Sequence, residues 1–413
     1  MDKERKLQIV ISAYECSPDH GSEAGLGWNW IMSAVHNSRI SKVFVITMER
    51  YRNDIEKYID GNQSEMAKAE FVFVPLPLNS FRKLNQRFKY IIWQRRVGNA
   101  AKEICSKNDI AFVHHVTWAT CVFPSHLYKA GVPFIYGPVG GGERIPSVVD
   151  LQMTRHDRLA ESVRKLLADT SMYMPSTRRA FRKAKIIFAT TEETRQLIPA
   201  KYRSKVSLMQ SIGVKEVGME RKYAYKEGFT VLLSARMLYW KGIDIAIEVF
   251  KLLADMDDQI KLKIVGAGTR ERVERYRSIV SKHSNIEYLG SVSFDEMRAL
   301  YAEADLLLNC SLHDSGCMVI LEALSAGLPV VGIDTGGPHI LMDDESCVKI
   351  KPDMVDKMAG QICKEIISLK DNPEKLTEMS KNAIVRANAF CFEKKYEAVI
   401  DELYNLKEGQ VMK

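Results

Sequence analysis

The feature that most constrains the fold of this 413-residue chain is an alternation of short apolar runs with longer helical or polar segments. Such alternation is typical of βαβ units, in which parallel strands form a sheet that helices cover. The runs are almost continuously apolar, which indicates strands buried on both faces. We predict strands over residues 8–13, 43–47, 71–75, 111–115, 134–136, 186–190, 230–234, 262–265, 286–289, 306–309, 330–333 and 347–350.

Both halves of the chain repeat this pattern, and the length suits two domains at roughly 150 residues each. We therefore predict an α/β fold with two Rossmann-like, doubly wound parallel-sheet domains. The pattern is interrupted between 205 and 228, so we assign 1–210 to an N-terminal domain and 211–389 to a C-terminal domain. A last helix over 390–413 is expected to return to the first domain. Parallel α/β sheets bind ligands at the carboxyl ends of their strands, so two such domains would face a central cleft.

Composition excludes several classes of protein. Hydrophobic residues make up 46% of the chain and charged residues 27%, as in soluble globular proteins. No apolar run approaches the roughly 18 residues of a membrane-spanning helix, and the polar start lacks the apolar core of a signal peptide. The eight cysteines are scattered without Cys-x-x-Cys or zinc-like spacing, so we expect free thiols, a cytoplasmic location and no metal.

The net charge of +7 is partly concentrated at 81–96, where cations alternate with aromatic and aliphatic residues. One interpretation is a solvated helix whose apolar side packs inward. The other is a surface for an anionic membrane, at the inner face of the cell membrane, or for an acidic acceptor. No nucleic-acid-binding motif accompanies the charge, so nucleic acid is not an expected partner.

The first local motif lies after the strand that ends at Ser234. A loop there carries Arg236 and Lys241, and a helix is predicted to begin near Asp244. Two cations beside a helix amino end can hold a phosphate through side-chain charge and the helix dipole. The alternative is that both are ordinary solvated surface residues.

The second motif places Asp314 before a glycine turn and, after seven intervening residues, Glu322 within a helix that ends near Gly327 and Pro329. Two carboxylates in these positions can accept hydrogen bonds from sugar or ribose hydroxyls. In isolation the same pair fits an N-cap aspartate and a surface glutamate.

Together, the Arg/Lys loop, the acid-x7-acid segment that continues as Leu-Glu-Ala-Leu-Ser-Ala-Gly-Leu-Pro-Val, and Gly336-Gly337-Pro338 resemble the group 1 retaining glycosyltransferases, family 4 of the sequence classification. The order and spacing match through the C-terminal half. The resemblance implies a GT-B architecture with the nucleotide-sugar donor held by the C-terminal domain. In that family the first acid is usually Glu, so Asp314 is shorter by one methylene.

The resemblance also implies a role for each matching residue. Arg236 and Lys241 would neutralise the donor diphosphate during catalysis, and Glu322 would bind the ribose. Asp314 would hold the donor sugar and contribute to catalysis, assisted by the backbone amides that follow it. These amides belong to Gly316, Cys317 and Met318.

The N-terminal half resembles the family through looser marks. The loop after the first strand contains Gly21, Gly25 and Gly27, and it corresponds to a glycine loop that approaches the donor phosphate. Glycine lets backbone approach a ligand without a side-chain clash. The spacing does not fit the G-x-G-x-x-G fingerprint, which argues against a dinucleotide site.

Two further N-terminal marks follow predicted strands. Either His114 or His115 would be the family's active-site histidine, and we choose His115, although both could instead be buried structural residues. The segment 137–144 resembles a bacterial branch linked to surface polysaccharide assembly. It gives Gly140, Gly141 and Glu143 as acceptor-side residues.

The expected function is therefore a retaining hexosyl-type glycosyltransferase that moves sugar from a UDP- or GDP-sugar to a hydroxyl of a saccharide or lipid-linked saccharide. The nucleotide sugar is a substrate, and neither a cofactor nor a metal is expected. Three alternatives remain: a nicotinamide-dependent oxidoreductase, a sugar-nucleotide epimerase of similar fold, and a non-catalytic sugar-nucleotide binding protein.

Overall fold

The computed structural model describes residues 6–76 and 86–411. By its internal contacts the chain forms two units. The first contains the described residues of Met1–Gly142, Lys165–Lys215 and Phe392–Lys413, and the second contains Glu143–Arg164 and Glu216–Cys391. The sequence pattern predicts domain boundaries at 210 and 389 and assigns the whole of 143–164 to the first domain.

The strands of the first unit form a seven-stranded parallel sheet in the order β3-β2-β1-β4-β5-β6-β7. They are β1 (Leu7–Ala13), β2 (Ile40–Met48), β3 (Ala69–Val74), β4 (Ile110–His115), β5 (Phe134–Val139), β6 (Ala184–Ala189) and β7 (Val206–Leu208). Its helices are α1 (Ser22–His36), α2 (Arg52–Gly61), α3 (Gln86–Lys107), α5 (Pro175–Lys183), α6 (Glu192–Leu197) and α14 (Lys395–Val411), and α4 (Arg155–Ser171) continues from one unit into the other.

The second unit has a six-stranded parallel sheet in the order β10-β9-β8-β11-β12-β13. Its strands are β8 (Phe229–Ser234), β9 (Ile260–Val265), β10 (Ile286–Gly290), β11 (Leu306–Asn309), β12 (Val330–Ile333) and β13 (Cys347–Ile350). Its helices are α7 (Ile243–Met256), α8 (Arg270–Val280), α9 (Phe294–Glu303), α10 (Met318–Ser325), α11 (Gly336–Leu341), α12 (Val355–Lys370) and α13 (Pro373–Ala389).

Helix α7 illustrates how sequence pattern produces this packing. It buries Ala246, Val249, Phe250 and Leu253, whose spacing places them on one face of a helix. These side chains join the core that the β8, β9 and β11 side chains form. This packing holds α7 against the sheet. It therefore also holds the loop that joins β8 to α7.

The predicted fold class, two Rossmann-like parallel-sheet domains, is confirmed. The predicted strands correspond to the observed ones, but sequence analysis missed β7. Val206 and Ser207 are partly exposed and Leu208 is exposed, and three residues are too few to give an apolar run. Within the described residues, no helix has the length and apolar character needed to cross a bilayer.

The segment 143–164 groups with the second unit because its apolar side chains pack there. Val149 belongs to the core of that unit, and Ile145 and Leu151 pack against it. Two polar contacts add to this packing, from Asp150 to the Val355 backbone N–H at 2.8 Å and from Asp157 to Arg272 at 2.5 Å.

Candidate functional site

The strand order of each unit locates a candidate ligand edge. In the second unit β8 lies between β9 and β11, so the direction in which the chain winds reverses between β8 and β11. In the first unit the corresponding reversal lies between β1 and β4. Ligands of open parallel sheets bind beyond the carboxyl ends of strands at such a switch point. The predicted Arg/Lys loop follows β8 and the predicted acidic motif follows β11, so the fold brings these two motifs together.

The loop after β8 is held by a close backbone approach. A single 3-10 turn, Tyr239–Lys241, ends at Gly242, which has a left-handed φ of 68°. A Cβ at Gly242 would lie 2.1 Å from the Cys310 carbonyl oxygen, so only glycine fits. This approach fixes Lys241 beside the loop that follows β11.

The central contact of the site joins the two predicted motifs. The Lys241 Nζ lies 2.5 Å from the Asp314 Oδ2, and only 14% and 17% of the two side chains are exposed. Burial acts to lower the Lys241 pKa, but the thiolate form of Cys317 and the Asp314 carboxylate act to raise it, and the pKa is raised overall. The Cys317 thiol is uncharged near neutral pH, so Asp314 is the group that keeps the Lys241 ammonium charged.

Arg236 lies on the same loop and its side chain is exposed. Its charge acts to lower the Lys241 pKa, which means that the two cations are close enough to repel each other. A bound anion would relieve this repulsion. Arg236 therefore adds a second positive charge on the solvent side of the buried Lys241.

The Gly336-Gly337 pair makes a close approach to the acidic motif possible. The Gly337 N–H donates a hydrogen bond to the Asp314 carbonyl oxygen at 2.6 Å. A Cβ at Gly336 would lie 2.6 Å from that oxygen, and one at Gly337 would lie 2.4 Å from the Gly316 carbonyl oxygen. The two glycines thus let the start of α11 pack against the turn that carries Asp314.

The turn between Asp314 and α10 contains an unusual backbone conformation. Cys317 has a φ of 89° and a ψ of 64°, a left-handed conformation that non-glycine residues rarely adopt. The turn leads directly into α10, whose first-turn N–H groups have no intrahelical acceptor and suit an anion. Met318, the first residue of α10, is partly exposed there, as Gly316 is before it.

Cys317 itself does not behave as a nucleophile. Its side chain is buried, and burial raises the pKa of the thiol to about 12, so it is protonated at neutral pH. The Sγ accepts a hydrogen bond from Asn309 Nδ2 at 3.1 Å. Cys317 therefore lies in the turn as a buried, protonated thiol.

Glu322 lies on α10, and sequence analysis did not predict its partner. The Tyr301 hydroxyl on α9 donates a hydrogen bond to the Glu322 Oε2 at 2.7 Å. Burial raises the Glu322 pKa, and the hydrogen bond from Tyr301 acts against that rise. The carboxylate is thus held in one orientation while the residue remains partly exposed.

A second set of residues missed by sequence analysis supports the site from segment 143–164. Glu161 on α4 accepts a hydrogen bond from the Tyr239 hydroxyl at 2.9 Å and pairs with Arg164 at 2.5 Å. His313 stacks on Trp240 with ring centroids 4.8 Å apart. Burial and the charge of Arg164 lower the His313 pKa to about 4, so its ring is neutral at physiological pH. These contacts brace the neighbours of Lys241 and Asp314, but the long sequence separation gave no local signal for them.

Glu143, predicted on the acceptor side, belongs to the second unit and is 4% exposed. Its Cγ lies 3.4 Å from the position that a Cβ on Gly336 would occupy. Glu143 therefore lies next to the turn that carries Asp314. Its acceptor-side role stays a prediction.

In the first unit, the loops after β1 and β4 are joined by hydrogen bonds. The Trp118 N–H donates to the Glu23 Oε1 at 2.7 Å, and the Glu15 N–H donates to the Thr117 hydroxyl at 3.1 Å. Gly21 is exposed before α1, and a Cβ at Gly25 would lie 2.5 Å from the His20 carbonyl oxygen. The fold thus places the predicted glycine loop at the switch point of the first sheet.

His115 and His114 are both completely buried. The His115 Nε2 lies 2.8 Å from the Tyr90 hydroxyl and its Nδ1 lies 3.2 Å from the Ser12 hydroxyl. The His114 Nδ1 lies 3.0 Å from the Tyr396 hydroxyl and its Nε2 lies 2.6 Å from the Gly137 carbonyl oxygen. These contacts satisfy all four ring nitrogens and fit a structural role. The catalytic assignment of His115 gains no support from them and stays a prediction.

Gly140 and Gly141 follow β5 and lie against the loop after β4. The Gly140 N–H donates to the Ala119 carbonyl oxygen at 3.2 Å, and its carbonyl accepts from the Cys121 N–H at 3.1 Å. Gly141 has a φ of 118°, which favours glycine. The two glycines therefore lie near the switch-point loops, and their acceptor-side role is untested.

Among the residues that the structure describes, no group of three or more His, Cys, Asp or Glu side chains is arranged to hold a metal ion.

Residues 215–386 match the family model described as "Glycosyl transferases group 1". This range contains the cationic loop, the Lys241–Asp314 pair, Glu322 and the Gly336-Gly337 pair. The second unit therefore matches the group 1 glycosyltransferase model over most of its length.

Curated relatives match part of the chain. A phosphatidylinositol N-acetylglucosaminyltransferase subunit from Arabidopsis thaliana is 31% identical over 154 residues, which are 37% of this chain and 34% of that protein. A GDP-mannose-dependent alpha-(1-6)-phosphatidylinositol monomannoside mannosyltransferase from Mycobacterium tuberculosis is 25% identical over 158 residues, which are 36% of this chain and 41% of that protein. The chain thus aligns with only about a third to two fifths of the length of these relatives.

Solved structures extend the similarity to the whole fold. Anabaena Alr3699/HepE in complex with UDP and glucose has a TM-score of 0.61 at 15% identity, covering 97% of this chain and 100% of that one. WaaG, a glycosyltransferase involved in lipopolysaccharide biosynthesis, has a TM-score of 0.56 at 17% identity, covering 96% of this chain and 99% of that one. At these identities the likeness shows the fold alone, and that fold is GT-B.

Proposed function

We propose that this protein is a retaining glycosyltransferase that moves a hexosyl-type sugar from a UDP- or GDP-sugar to a hydroxyl of a saccharide or lipid-linked saccharide. The observation that carries the proposal is the contact between Lys241 and Asp314 at the switch point of the second sheet. It places a buried cation, a carboxylate and a helix amino end in one small region.

The arrangement suits departure of a nucleoside diphosphate. Breaking a glycosyl phosphate bond develops negative charge on the diphosphate, and preplaced cations and amides lower that barrier. Lys241 and Arg236 supply the cations, and the turn through Cys317 into α10 supplies the amides. Asp314 would accept hydrogen bonds from the donor sugar and Glu322 from the ribose. Retention of configuration is part of the proposal and is taken from the family resemblance.

The names of the relatives support transfer to lipid-linked acceptors but leave the nucleotide open. Two of them name phosphatidylinositol-type acceptors, and one names GDP-mannose as its donor. The Anabaena fold neighbour was solved with UDP and glucose. We therefore keep UDP and GDP as alternative donor nucleotides, and surface polysaccharide assembly as the proposed setting.

Two alternatives use the same nucleotide site. An epimerase would consume the nucleotide sugar without an acceptor, and a non-catalytic binding protein would bind it without turnover. Both would keep the Lys241 and Glu322 contacts. The matching family model and the names of the relatives favour transfer over either alternative.

The test begins with thermal shift and calorimetric titration against UDP, GDP and their hexose conjugates. A ligand at 100 times its dissociation constant should add about 2.7 kcal/mol of stability. K241A should weaken the nucleotide that wild type prefers by about 10- to 100-fold, because a charge-assisted phosphate contact is lost. The matched control is K251A, since Lys251 lies on α7 and pairs with the exposed Glu248.

Turnover separates the three candidates. Transfer of labelled sugar to a saccharide or lipid-linked acceptor supports the proposed activity, whereas donor isomerisation without acceptor indicates an epimerase. Failure of UDP, GDP and their sugars to bind wild type at millimolar concentration would contradict the donor site itself.

We also propose peripheral contact with an anionic membrane at its cytoplasmic face through α3. Residues 81–85 of the predicted stretch 81–96 lie outside the described residues. Within α3, Arg87 and Arg95 are exposed and Phe88 is 59% exposed, whereas Tyr90 and Trp93 are completely buried. The exposed cations could meet anionic lipid while the buried rings hold the helix to its unit.

Vesicle co-sedimentation tests this contact with neutral and anionic lipids over a salt series. The double variant R87Q/R95Q should sediment less with anionic vesicles at low salt than the control R270Q, whose residue is an exposed cation of the second unit. Equal sedimentation of both variants would indicate that α3 has only a solvated polar face.

A further inference from the structure

We infer that Tyr301 is a positioning residue that holds the Glu322 carboxylate for the donor ribose, and that this pair makes the second unit select nucleotides with an intact ribose diol. The inference rests on the proposed function, because it takes Glu322 as the ribose ligand. It adds a residue outside the sequence motif and a class of substrate that the site should reject.

The geometry that carries the inference is a hydrogen bond between two helices. Tyr301 lies near the end of α9 and is 4% exposed, and its hydroxyl donates to the Glu322 Oε2 on α10 at 2.7 Å. Glu322 remains partly exposed. The bond therefore fixes the rotation of a carboxylate that still reaches the surface.

The Tyr301 backbone is itself anchored. Arg221 donates hydrogen bonds to the carbonyl oxygens of Tyr301 at 2.5 Å and Ala304 at 2.9 Å. Cationic side chains commonly stabilise the last carbonyls of a helix in this way. The end of α9 is thus held in place, and with it the backbone from which the Tyr301 side chain extends.

Burial and the neighbouring Glu322 raise the Tyr301 pKa well above its usual value. The hydroxyl therefore remains a donor, and Glu322 receives one hydrogen bond before any nucleotide binds. A partly exposed carboxylate with one fixed oxygen has fewer orientations to lose when a diol binds, which favours affinity.

The same arrangement disfavours nucleotides that lack ribose hydroxyls. A site built to hydrogen-bond a hydroxyl rejects the analogue without it, because the polar group of the site is left unpaired. Glu322 is partly buried, so on binding such a nucleotide its carboxylate would lose water without gaining a donor. We therefore expect discrimination against 2′,3′-dideoxynucleotides.

Calorimetric titration tests the inference with UDP, GDP and their 2′,3′-dideoxy analogues against wild type, Y301F, E322Q and Y223F. The Y223F control removes another partly buried tyrosine hydroxyl of the same unit, which donates to the Asp305 carbonyl oxygen at 3.2 Å near the amino end of β11. Wild type and Y223F should prefer the ribonucleotide by about tenfold or more. Y301F and E322Q should lose most of that preference, with dideoxynucleotide affinity nearly unchanged.

Steady-state kinetics give a second measurement. If Tyr301 only positions the ribose ligand, Y301F should raise the KM for the donor and leave kcat within about twofold, because ground-state binding is lost. If Y301F fails to fold, E322D takes its place, since the shorter carboxylate keeps its charge but withdraws from Tyr301. It should lose the ribose preference as E322Q does.

The outcomes separate the inference from the proposed function. If E322Q keeps the full ribose preference, Glu322 is not the ribose ligand and the proposed donor site fails. If E322Q loses the preference but Y301F, or E322D in its place, keeps it, the positioning role is overturned. A Y301F variant that weakens both kinds of nucleotide equally would show that Tyr301 merely supports the fold, and this too overturns the inference.

Discussion

The Lys241 ammonium lies 2.5 Å from the Asp314 carboxylate, although 73 residues separate them in the chain. The contact joins a cation predicted to bind diphosphate with an acid predicted to bind the donor sugar. Because Asp314 pairs directly with this cation, its negative charge would offset part of the attraction between Lys241 and a bound diphosphate.

This offset predicts opposite effects for the two residues. D314N should bind UDP or GDP at least as tightly as wild type, since Lys241 loses its paired anion, but should transfer sugar much more slowly. K241A should weaken the same nucleotide by about 10- to 100-fold. Calorimetry combined with turnover measures both effects, and a D314N variant that loses as much nucleotide affinity as K241A would contradict the division of roles.

The strained backbone conformation of Cys317 predicts that a glycine variant at this position is more stable than an alanine variant. Its φ of 89° is left-handed, and such conformations cost a non-glycine residue roughly 1–2 kcal/mol. C317A keeps that strain and loses the contact from Asn309, whereas C317G loses the same contact and relieves the strain. Chemical denaturation should therefore find C317G more stable than C317A by about 1 kcal/mol. The opposite order would show that the turn is not strained.

The close approach of α11 to the acidic motif predicts intolerance of any side chain at Gly336 or Gly337. A Cβ would lie 2.6 Å and 2.4 Å, respectively, from backbone carbonyl oxygens. We expect G336A and G337A to lower the free energy of unfolding by about 1–3 kcal/mol and to weaken nucleotide binding.

The control is G360A on α12, where an added Cβ meets no atom within 4 Å. That variant should be more stable than wild type by about 0.5–1 kcal/mol, because alanine favours the helix interior. Equal stability of G336A, G337A and G360A would mean that the two loops can separate at little cost.

The buried histidine pair predicts acid sensitivity of the first unit. Burial lowers the pKa of His114 to about 4 and that of His115 to about 3, whereas an unfolded histidine titrates near pH 6.5. Between these values the unfolded state binds protons that the folded state does not. The stability contribution is therefore full above about pH 6.5 and declines as the pH falls, by up to about 1.4 kcal/mol per pH unit for each histidine.

Denaturation of H114Q and H115Q from pH 7 to pH 4.5 tests this expectation. Each variant should show a shallower dependence on pH than wild type, because glutamine does not titrate. H156Q is the matched control, since the His156 side chain is 89% exposed. If the stability of both variants depends on pH as steeply as that of wild type, the two rings are protonated in the folded state.

The site combines features that local sequence could predict with features that it could not. Gly336 and Gly337 are identifiable as a motif, because adjacent glycines shortly after a buried strand are visible in the local sequence. The partners Tyr301 and Glu161 carry no such mark. Tyr301 acts on Glu322 and Glu161 acts on Tyr239 near Lys241, each through one side chain from a different helix, so nothing in the neighbouring sequence identifies them.

The sequence by itself determined the two parallel-sheet domains, the loops that carry Lys241 and Asp314, and the helix that carries Glu322. A strand buried on both faces has a continuous apolar run in its sequence. A phosphate-binding loop has cations next to the start of a helix, so each feature is visible as a local sequence pattern. Only the tertiary structure decided that both His114 and His115 are buried with hydrogen-bonded rings. It also decided that 143–164 packs on the second unit. The burial of a side chain and its hydrogen-bond partners depend on residues that can lie hundreds of positions away in the chain. The alternation of side chains along a strand does not show which face of the strand other elements cover.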